Sequence, residues 1–126
     1  MNKLHLEGTA KTPAVSFSDG SLEISGKSIP ENSIEFYQPL YNWLDEYGQQ
    51  PAKSTSLKVR LEYFNTSSSK CLLDVFRKLE TVQKSGKGSV TVTWMYEEED
   101  EDMMEAGEDY REIVGLPFTI EKIKEE

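Results

Sequence analysis

The sequence predicts an α/β fold, a two-layer sandwich in which a mixed β-sheet carries helices mainly on one face. Segments such as Leu57–Tyr63 and Val90–Tyr96 alternate apolar with polar residues, which is typical of a sheet with one face in water. Helical stripes separate these segments, and a strand–helix–strand unit of this length forms a right-handed crossover. Because 126 residues suffice for one core, we expect a single domain over residues 1–126.

The first 29 residues predict a hairpin. Residues 14–18 form a candidate strand with Val15 and Phe17 on one face, and residues 22–25 alternate in the same way. Between them lies an Asp19-Gly20 pair, one of the strongest signals for a tight turn. We therefore expect two strands joined by this turn.

A helical segment follows Pro30–Ser33, where Asn32 is a candidate N-cap residue. Pro39 interrupts the helical pattern, since proline has no N–H and its ring clashes with the preceding turn. We therefore expect a short first turn and then a helix from near Gln38 to Gly48.

Aromatic residues are concentrated in this segment. Apolar residues at helical spacing define its inner face, and they are Phe36, Leu40, Leu44 and Tyr47. Aromatics at such spacing are more often core than binding surface. The flanking residues Tyr37 and Trp43 are the candidates for exposure.

The second half predicts a strand at Leu57–Phe64, an amphipathic helix at Lys70–Ser85 and a strand at Ser89–Tyr96. The acidic run Glu97–Asp102 is followed by a third helical pattern that ends near Ile113. Acidic residues in or before the first turn of this helix suit the positive end of its dipole. A last short strand begins at Phe118.

Charge and composition exclude several classes of partner. The net charge is -9, from 14 basic and 23 acidic residues, so nucleic acid and anionic membranes are disfavoured. A protein with a basic face would be attracted instead. No apolar run is long enough to cross a bilayer, no secretory signal is present at the start, and Cys71 is the only cysteine. These features fit a cytoplasmic, reducing environment.

No constellation of catalytic residues is apparent. His5 is the only histidine and has no recognisable partner, and Cys71 fits a packed helix cysteine better than a nucleophile. One histidine and one cysteine do not make a zinc site. The acidic run lacks the ligand spacing of an EF-hand and is interpreted as a solvated loop. We therefore expect no catalytic residue, no metal and no cofactor.

The most distinctive stretch is the corner between the central strand and the second helix. It reads Asn65-Thr66-Ser67-Ser68-Ser69-Lys70. One such residue would satisfy the free N–H groups of a helix start, so five consecutive amide and hydroxyl side chains exceed that need. Such clusters are also common in loops, so the residues alone leave capping and function equally open.

At this corner the chain resembles the SiaC family of bacterial regulatory phosphoproteins, which are similar to the STAS domains of anti-sigma-factor antagonists. The similarity runs nearly end to end. It is carried by Leu6-Glu7-Gly8-Thr9, Thr12-Pro13, Pro30-Glu31-Asn32-Ser33, Tyr63-Phe64-Asn65-Thr66-Ser67-Ser68 with Lys70, Trp94 with Tyr96, and Pro117-Phe118. The acidic run Glu97–Asp102 and Pro39 depart from the family pattern.

The resemblance implies a STAS-like fold and a non-enzymatic switch. It implies that Thr66 is phosphorylated by a serine/threonine kinase of the histidine-kinase-like ATPase type and dephosphorylated by a PP2C-type phosphatase. The unphosphorylated form would bind and activate a diguanylate cyclase, which links the chain to cyclic di-GMP and biofilm signalling.

The expected interaction surface surrounds Thr66, with further contacts near the start of the first helix. Its residues are Asn65, Ser67, Ser68, Ser69 and Lys70, then Glu31, Asn32 and Ser33. Two alternatives remain at this point: an anti-sigma-factor antagonist in partner-switching transcription control, and a small ligand-binding or enzymatic α/β domain.

Overall fold

The computed structural model describes residues 2–124, which form one six-stranded sheet and three helices. The elements in chain order are β1 (Leu4–Leu6), β2 (Ala14–Ser18), β3 (Ser21–Ser28), α1 (Ser33–Tyr47), β4 (Ser54–Phe64), α2 (Thr66–Lys84), β5 (Ser89–Glu97), α3 (Glu101–Ile113) and β6 (Phe118–Ile123). No helix within these residues is both long and apolar enough to span a bilayer.

The strands lie in the sheet in their order along the chain, from β1 to β6. β1, β2 and β3 pair antiparallel, whereas β3 to β6 pair parallel. Each parallel connection contains one helix, and right-handed crossovers in one direction place all three helices on the same face. The predicted mixed sheet with helices on one face is therefore confirmed.

The core lies between this face and the helices. Along β4 the side chains of Thr55, Leu57, Val59 and Leu61 are buried, while Lys58 and Arg60 are exposed on the opposite face. β2, β3 and β5 show the same alternation. Trp94, Tyr37, Tyr47, Phe17 and Phe76 are the largest fully buried side chains. The burial of large apolar side chains on one sheet face drives this arrangement.

The first helix differs from the prediction in two ways. It is continuous over Ser33–Tyr47 and includes Pro39. Pro39 and Glu35, whose carbonyl loses its helical hydrogen bond, are both exposed, so water can satisfy the freed carbonyl. Tyr37 and Trp43 are buried, contrary to the expected exposure.

The helix face is rotated relative to the predicted one, because Phe36 is only half-buried while Tyr37 points into the core. Hydrogen bonds satisfy the polar ends of the two aromatics: Trp43 Nε1 donates to the Asn2 carbonyl at 2.8 Å, and the Tyr37 hydroxyl lies 2.7 Å from Ser28 Oγ. The spacing of apolar residues within the helix does not reveal these partners, which are distant in the chain, so it does not predict the burial of Tyr37 and Trp43.

The other elements agree with the prediction except at their ends. β4 begins at Ser54, within the stretch expected to be a linker, and α2 begins at Thr66 rather than Lys70. The hydroxyl-rich corner is therefore the first turn of α2. The hairpin of β2 and β3 is present, and β1 adds a third, short antiparallel strand that was not predicted.

A β-bulge interrupts the end of β4. Leu61 pairs with Gly26 and Tyr63 pairs with Lys27, so Glu62 is an extra residue without a partner on β3. A bulge reverses the alternation of the side chains that follow it. Tyr63, which simple alternation would bury, is therefore 57% exposed, and Phe64 turns inward to pack edge-on against Trp94 with ring centroids 6.0 Å apart.

Candidate functional site

Asn65 forms the corner between β4 and α2. Its backbone is extended, its Oδ1 accepts a hydrogen bond from the Ser68 N–H at 2.9 Å, and its carbonyl accepts from the Ser69 N–H at 3.0 Å. Its own N–H donates to the Ser28 carbonyl at 3.0 Å. Asn65 is thus the N-cap of α2, and the four hydroxyl residues that follow are distributed around the first helical turn.

Ser68 faces the protein interior and is fully buried. Its Oγ donates to the Ser28 carbonyl at 2.9 Å and accepts from Ser28 Oγ at 2.8 Å. Ser28 Oγ also bonds the Tyr37 hydroxyl, and burial is the main reason that the pKa of Tyr37 is raised. The Ser68 hydroxyl therefore joins α2 to β3 and α1, and it lies beneath the predicted interaction surface rather than on it.

Ser67 is exposed, but its hydroxyl is engaged. Its Oγ donates to Asn65 Oδ1 at 3.1 Å and lies 2.6 Å from Ser33 Oγ. Ser33 is the first residue of α1 and is buried. This contact brings the N-terminal ends of α1 and α2 together.

Ser69 is half-buried and belongs to a contact with α3. Its Oγ lies 3.1 Å from the Tyr110 hydroxyl, which donates to the Ser69 carbonyl at 2.8 Å. Burial raises the pKa of Tyr110, so its hydroxyl stays protonated as a donor. Lys70 is exposed.

Thr66 differs from its three neighbours. Its side chain is exposed, and its hydroxyl has no hydrogen-bond partner among residues 2–124. Within the same residues, the backbone N–H groups of Thr66 and Ser67 also have no acceptor, as expected for a first helical turn. An anion attached to Thr66 would lie beside unpaired donors and the positive end of the α2 dipole.

The residues predicted near the start of α1 lie beside this corner through the Ser33–Ser67 contact. Asn32 caps α1, with Oδ1 accepting from the Glu35 N–H at 3.1 Å. Glu31 is exposed and lies 3.6 Å from Lys11. Ile34, at the same helix start, is 72% exposed and adds an apolar side chain to this surface.

The other residues that could take part in catalysis or metal binding are not grouped into a site in the part of the chain that the structure describes. His5 is exposed on β1, and Cys71 is buried in α2. Glu80 is buried and binds the Arg77 guanidinium and the Gly115 N–H, which ties α2 to the segment before β6. Among residues 2–124, no three histidine, cysteine or acidic side chains are grouped as metal ligands would be.

Two features of the site were not apparent from the sequence. One is the exposure of Tyr63, which depends on the bulge at Glu62. The other is the support of the corner by Ser28 and Tyr37, which lie 40 and 31 residues before Ser68 in the chain. A serine at a strand position that should be apolar was the only available signal for the second feature.

Comparison with known proteins shows a family match over nearly the whole chain. The sequence profile described as SiaC family regulatory phosphoprotein matches residues 6–123. An uncharacterised protein of Pseudomonas aeruginosa strain UCBPP-PA14 is 34% identical over 123 residues, which covers 96% of this chain and 97% of that protein.

Solved structures agree with the sequence match. SiaC of Pseudomonas aeruginosa, in a crystal structure with the diguanylate cyclase SiaD that it activates, superposes with a TM-score of 0.88 and 34% identity, covering 95% of this chain and 99% of that one. Apo-SiaC of the same organism gives a TM-score of 0.86 and 33% identity, covering 96% and 99%.

Proposed function

Because this chain belongs to the SiaC family of regulatory phosphoproteins, we propose that it is a non-enzymatic switch controlled by phosphorylation of Thr66. The unphosphorylated form binds and activates a diguanylate cyclase. The observation that carries this proposal is the solved complex of the 34% identical SiaC with the cyclase SiaD, of which it is the activator.

The surroundings of the four hydroxyls support Thr66 as the modified residue. A kinase needs an accessible hydroxyl, and Thr66 is exposed with its hydroxyl unbound among the described residues. Ser68 is buried, while Ser67 and Ser69 would each have to give up hydrogen bonds to other elements. Thr66 is therefore the hydroxyl that can be modified at the lowest cost to the fold.

The switch acts by blocking a contact rather than by unfolding α2. A phosphate carries about -1.5 to -2 charges at neutral pH. Near Thr66 it would accept hydrogen bonds from the free first-turn N–H groups and would be favoured by the helix dipole. At the centre of a protein contact, however, a dianion without a cationic partner is costly to desolvate.

The proposed contact surface contains the exposed side chains at the two adjoining helix starts. These are Thr66, Ser67 and Lys70 of α2 with Glu31, Asn32 and Ile34 beside α1. The kinase and the PP2C-type phosphatase implied by the family resemblance would act on the same surface. The cyclase and the two enzymes would then compete for Thr66.

A pull-down with Thr66→Ala and Thr66→Glu baits, followed by mass spectrometry, tests this proposal. The alanine bait is expected to retain a diguanylate cyclase that the glutamate bait loses. Thr81→Glu is a matched control, because Thr81 is exposed at the other end of α2 and receives the same charge. Identical proteins on the two Thr66 baits would contradict the switch, and an anti-sigma factor in place of the cyclase would favour transcriptional control.

A further inference from the structure

A groove opens between the end of β4 and the start of α3, next to the corner. Its volume is about 190 Å³, and its walls are mainly apolar. Tyr63 and Phe64 contribute from β4, and Met103 and Ala106 contribute from α3. Phe64 and Ala106 are half-buried and pack against the core, so the floor of the groove is continuous with the rigid part of the fold.

The exposure of Tyr63 is not a requirement of the fold. The bulge at Glu62 turns this ring out of the core and leaves it 57% exposed. A large apolar side chain on the surface contributes little to stability there, and aromatic rings of this kind are enriched at interaction sites. Bulges also often redirect a side chain towards a functional surface.

Three carboxylates surround the groove: Glu62, Asp100 and Asp102. None of them forms a salt bridge with a residue in 2–124, whereas nearby Glu98 is paired with Lys122 at 3.6 Å. Asp100 is the N-cap of α3, and the dipole of α3 favours Asp102 in its first turn. Glu62 lies at the end of a strand, so neither capping nor a helix dipole explains its position.

We propose that this groove binds an arginine-bearing segment of a protein partner. The long aliphatic part of an arginine side chain packs on apolar surface while its guanidinium reaches the rim. The planar guanidinium can stack on the exposed Tyr63 ring and form paired hydrogen bonds with a carboxylate. An apolar floor, an aromatic ring and unpaired carboxylates within one groove fit this chemistry.

The groove lies at the same end of β4 as the corner, since Tyr63 and Phe64 line it and directly precede Asn65 and Thr66 in the chain. A partner seated on the corner would reach the groove with an adjacent part of its chain. This inference rests on the proposed function in one respect, namely that the partner is a protein. The net charge of -9 would also accelerate the approach of a basic segment.

The test is an NMR titration of the full chain with short blocked peptides at low ionic strength. One peptide carries two arginines flanking a leucine, and its counterpart carries glutamates in their place. The arginine peptide is expected to shift the amide signals of residues 62–64 and 102–106, and the glutamate peptide is expected to shift none of them.

Matched variants separate the groove from the general negative charge. The Glu62→Gln and Asp102→Asn double variant is expected to weaken binding of the arginine peptide by about three- to tenfold. The Glu101→Gln and Glu105→Gln double variant removes the same charge from exposed positions of α3 outside the groove. It is expected to weaken binding less than about twofold.

Equal weakening by the two double variants, shifts spread over the whole acidic surface, or no shifts with the arginine peptide would each overturn the groove proposal. The titration involves neither Thr66 nor an effector, so its failure would leave the phosphorylation switch intact. Conversely, failure of the Thr66 pull-down would leave the peptide result unchanged.

Discussion

Replacement of Ser68 by alanine separates the hydroxyl that supports the fold from the hydroxyl proposed to be modified. Ser68 is fully buried and forms two hydrogen bonds with Ser28, at 2.9 Å and 2.8 Å. Each buried hydrogen bond contributes about 1 kcal/mol net, so Ser68→Ala is expected to lower the free energy of unfolding by about 2 kcal/mol. The N-cap is unaffected, since Asn65 binds the backbone N–H of this residue.

The free energy of unfolding of Ser68→Ala is compared with that of Thr66→Ala, a change in the same helical turn. Thr66 is exposed and its hydroxyl has no partner within residues 2–124, so the expected change is within about 0.5 kcal/mol. Urea unfolding measures both values, and the midpoint of Ser68→Ala is expected to fall by roughly 1 M at an unchanged slope. An equal loss of stability in the two variants, or wild-type stability of Ser68→Ala, would show that the Ser68 hydroxyl does not support the fold.

Three further predictions concern α3, Glu80 and the modified helix. Gly107→Ala is expected to cost about 1–3 kcal/mol in urea unfolding, because an added Cβ would meet the buried Trp94 ring; an unchanged midpoint would contradict that packing. Burial raises the pKa of Glu80, but the hydrogen bonds from Arg77 and the Gly115 N–H, together with the positive charges of Arg77 and Lys84, outweigh it and leave the pKa below the ordinary 4.5. The ionised form is therefore favoured in the folded state, so the stability it contributes is present above pH 4.5 and is lost as the pH falls through the lowered pKa. The deficit of Glu80→Gln relative to the wild type should accordingly shrink on acidification, and a deficit independent of pH would count against this role. Phosphorylation of Thr66 is expected to leave the far-ultraviolet circular dichroism unchanged, and a loss of helical signal would show that the phosphate melts α2.

The arrangement of strands and helices could be predicted because it follows from local pattern. Alternation in Leu57–Leu61 and in Val90–Tyr96 reflects burial of one sheet face, and the helical stripe between them can pack only on that face. The sequence does not predict the continuous first helix, because the intrinsic clash of a proline ring with the preceding turn argues against helix at Pro39. Its exposure, which makes the lost hydrogen bond tolerable, depends on how the whole helix sits on the sheet.

The candidate site could be predicted as a cluster of polar residues, but the separate role of each residue could not. The corner Asn65–Ser69 is recognisable from its excess of hydroxyls, whereas the roles of the individual residues depend on distant partners. The buried hydroxyl of Ser68 is satisfied by hydrogen bonds with Ser28 on β3. Tyr63 is exposed because the pairing of β3 with β4 shifts at Glu62. Neither the hydrogen bond nor the register shift has a local signature in the sequence.

The central claim is that a phosphate on Thr66 blocks the binding of the cognate diguanylate cyclase. Isothermal titration calorimetry of the cyclase with unphosphorylated and fully Thr66-phosphorylated protein tests it most directly, alongside the rate of cyclic di-GMP synthesis. We expect the phosphate to weaken binding by at least about 100-fold, or about 2.7 kcal/mol, and to abolish activation of the cyclase. Equal affinities of the two forms, with equal cyclase activity, would contradict the claim.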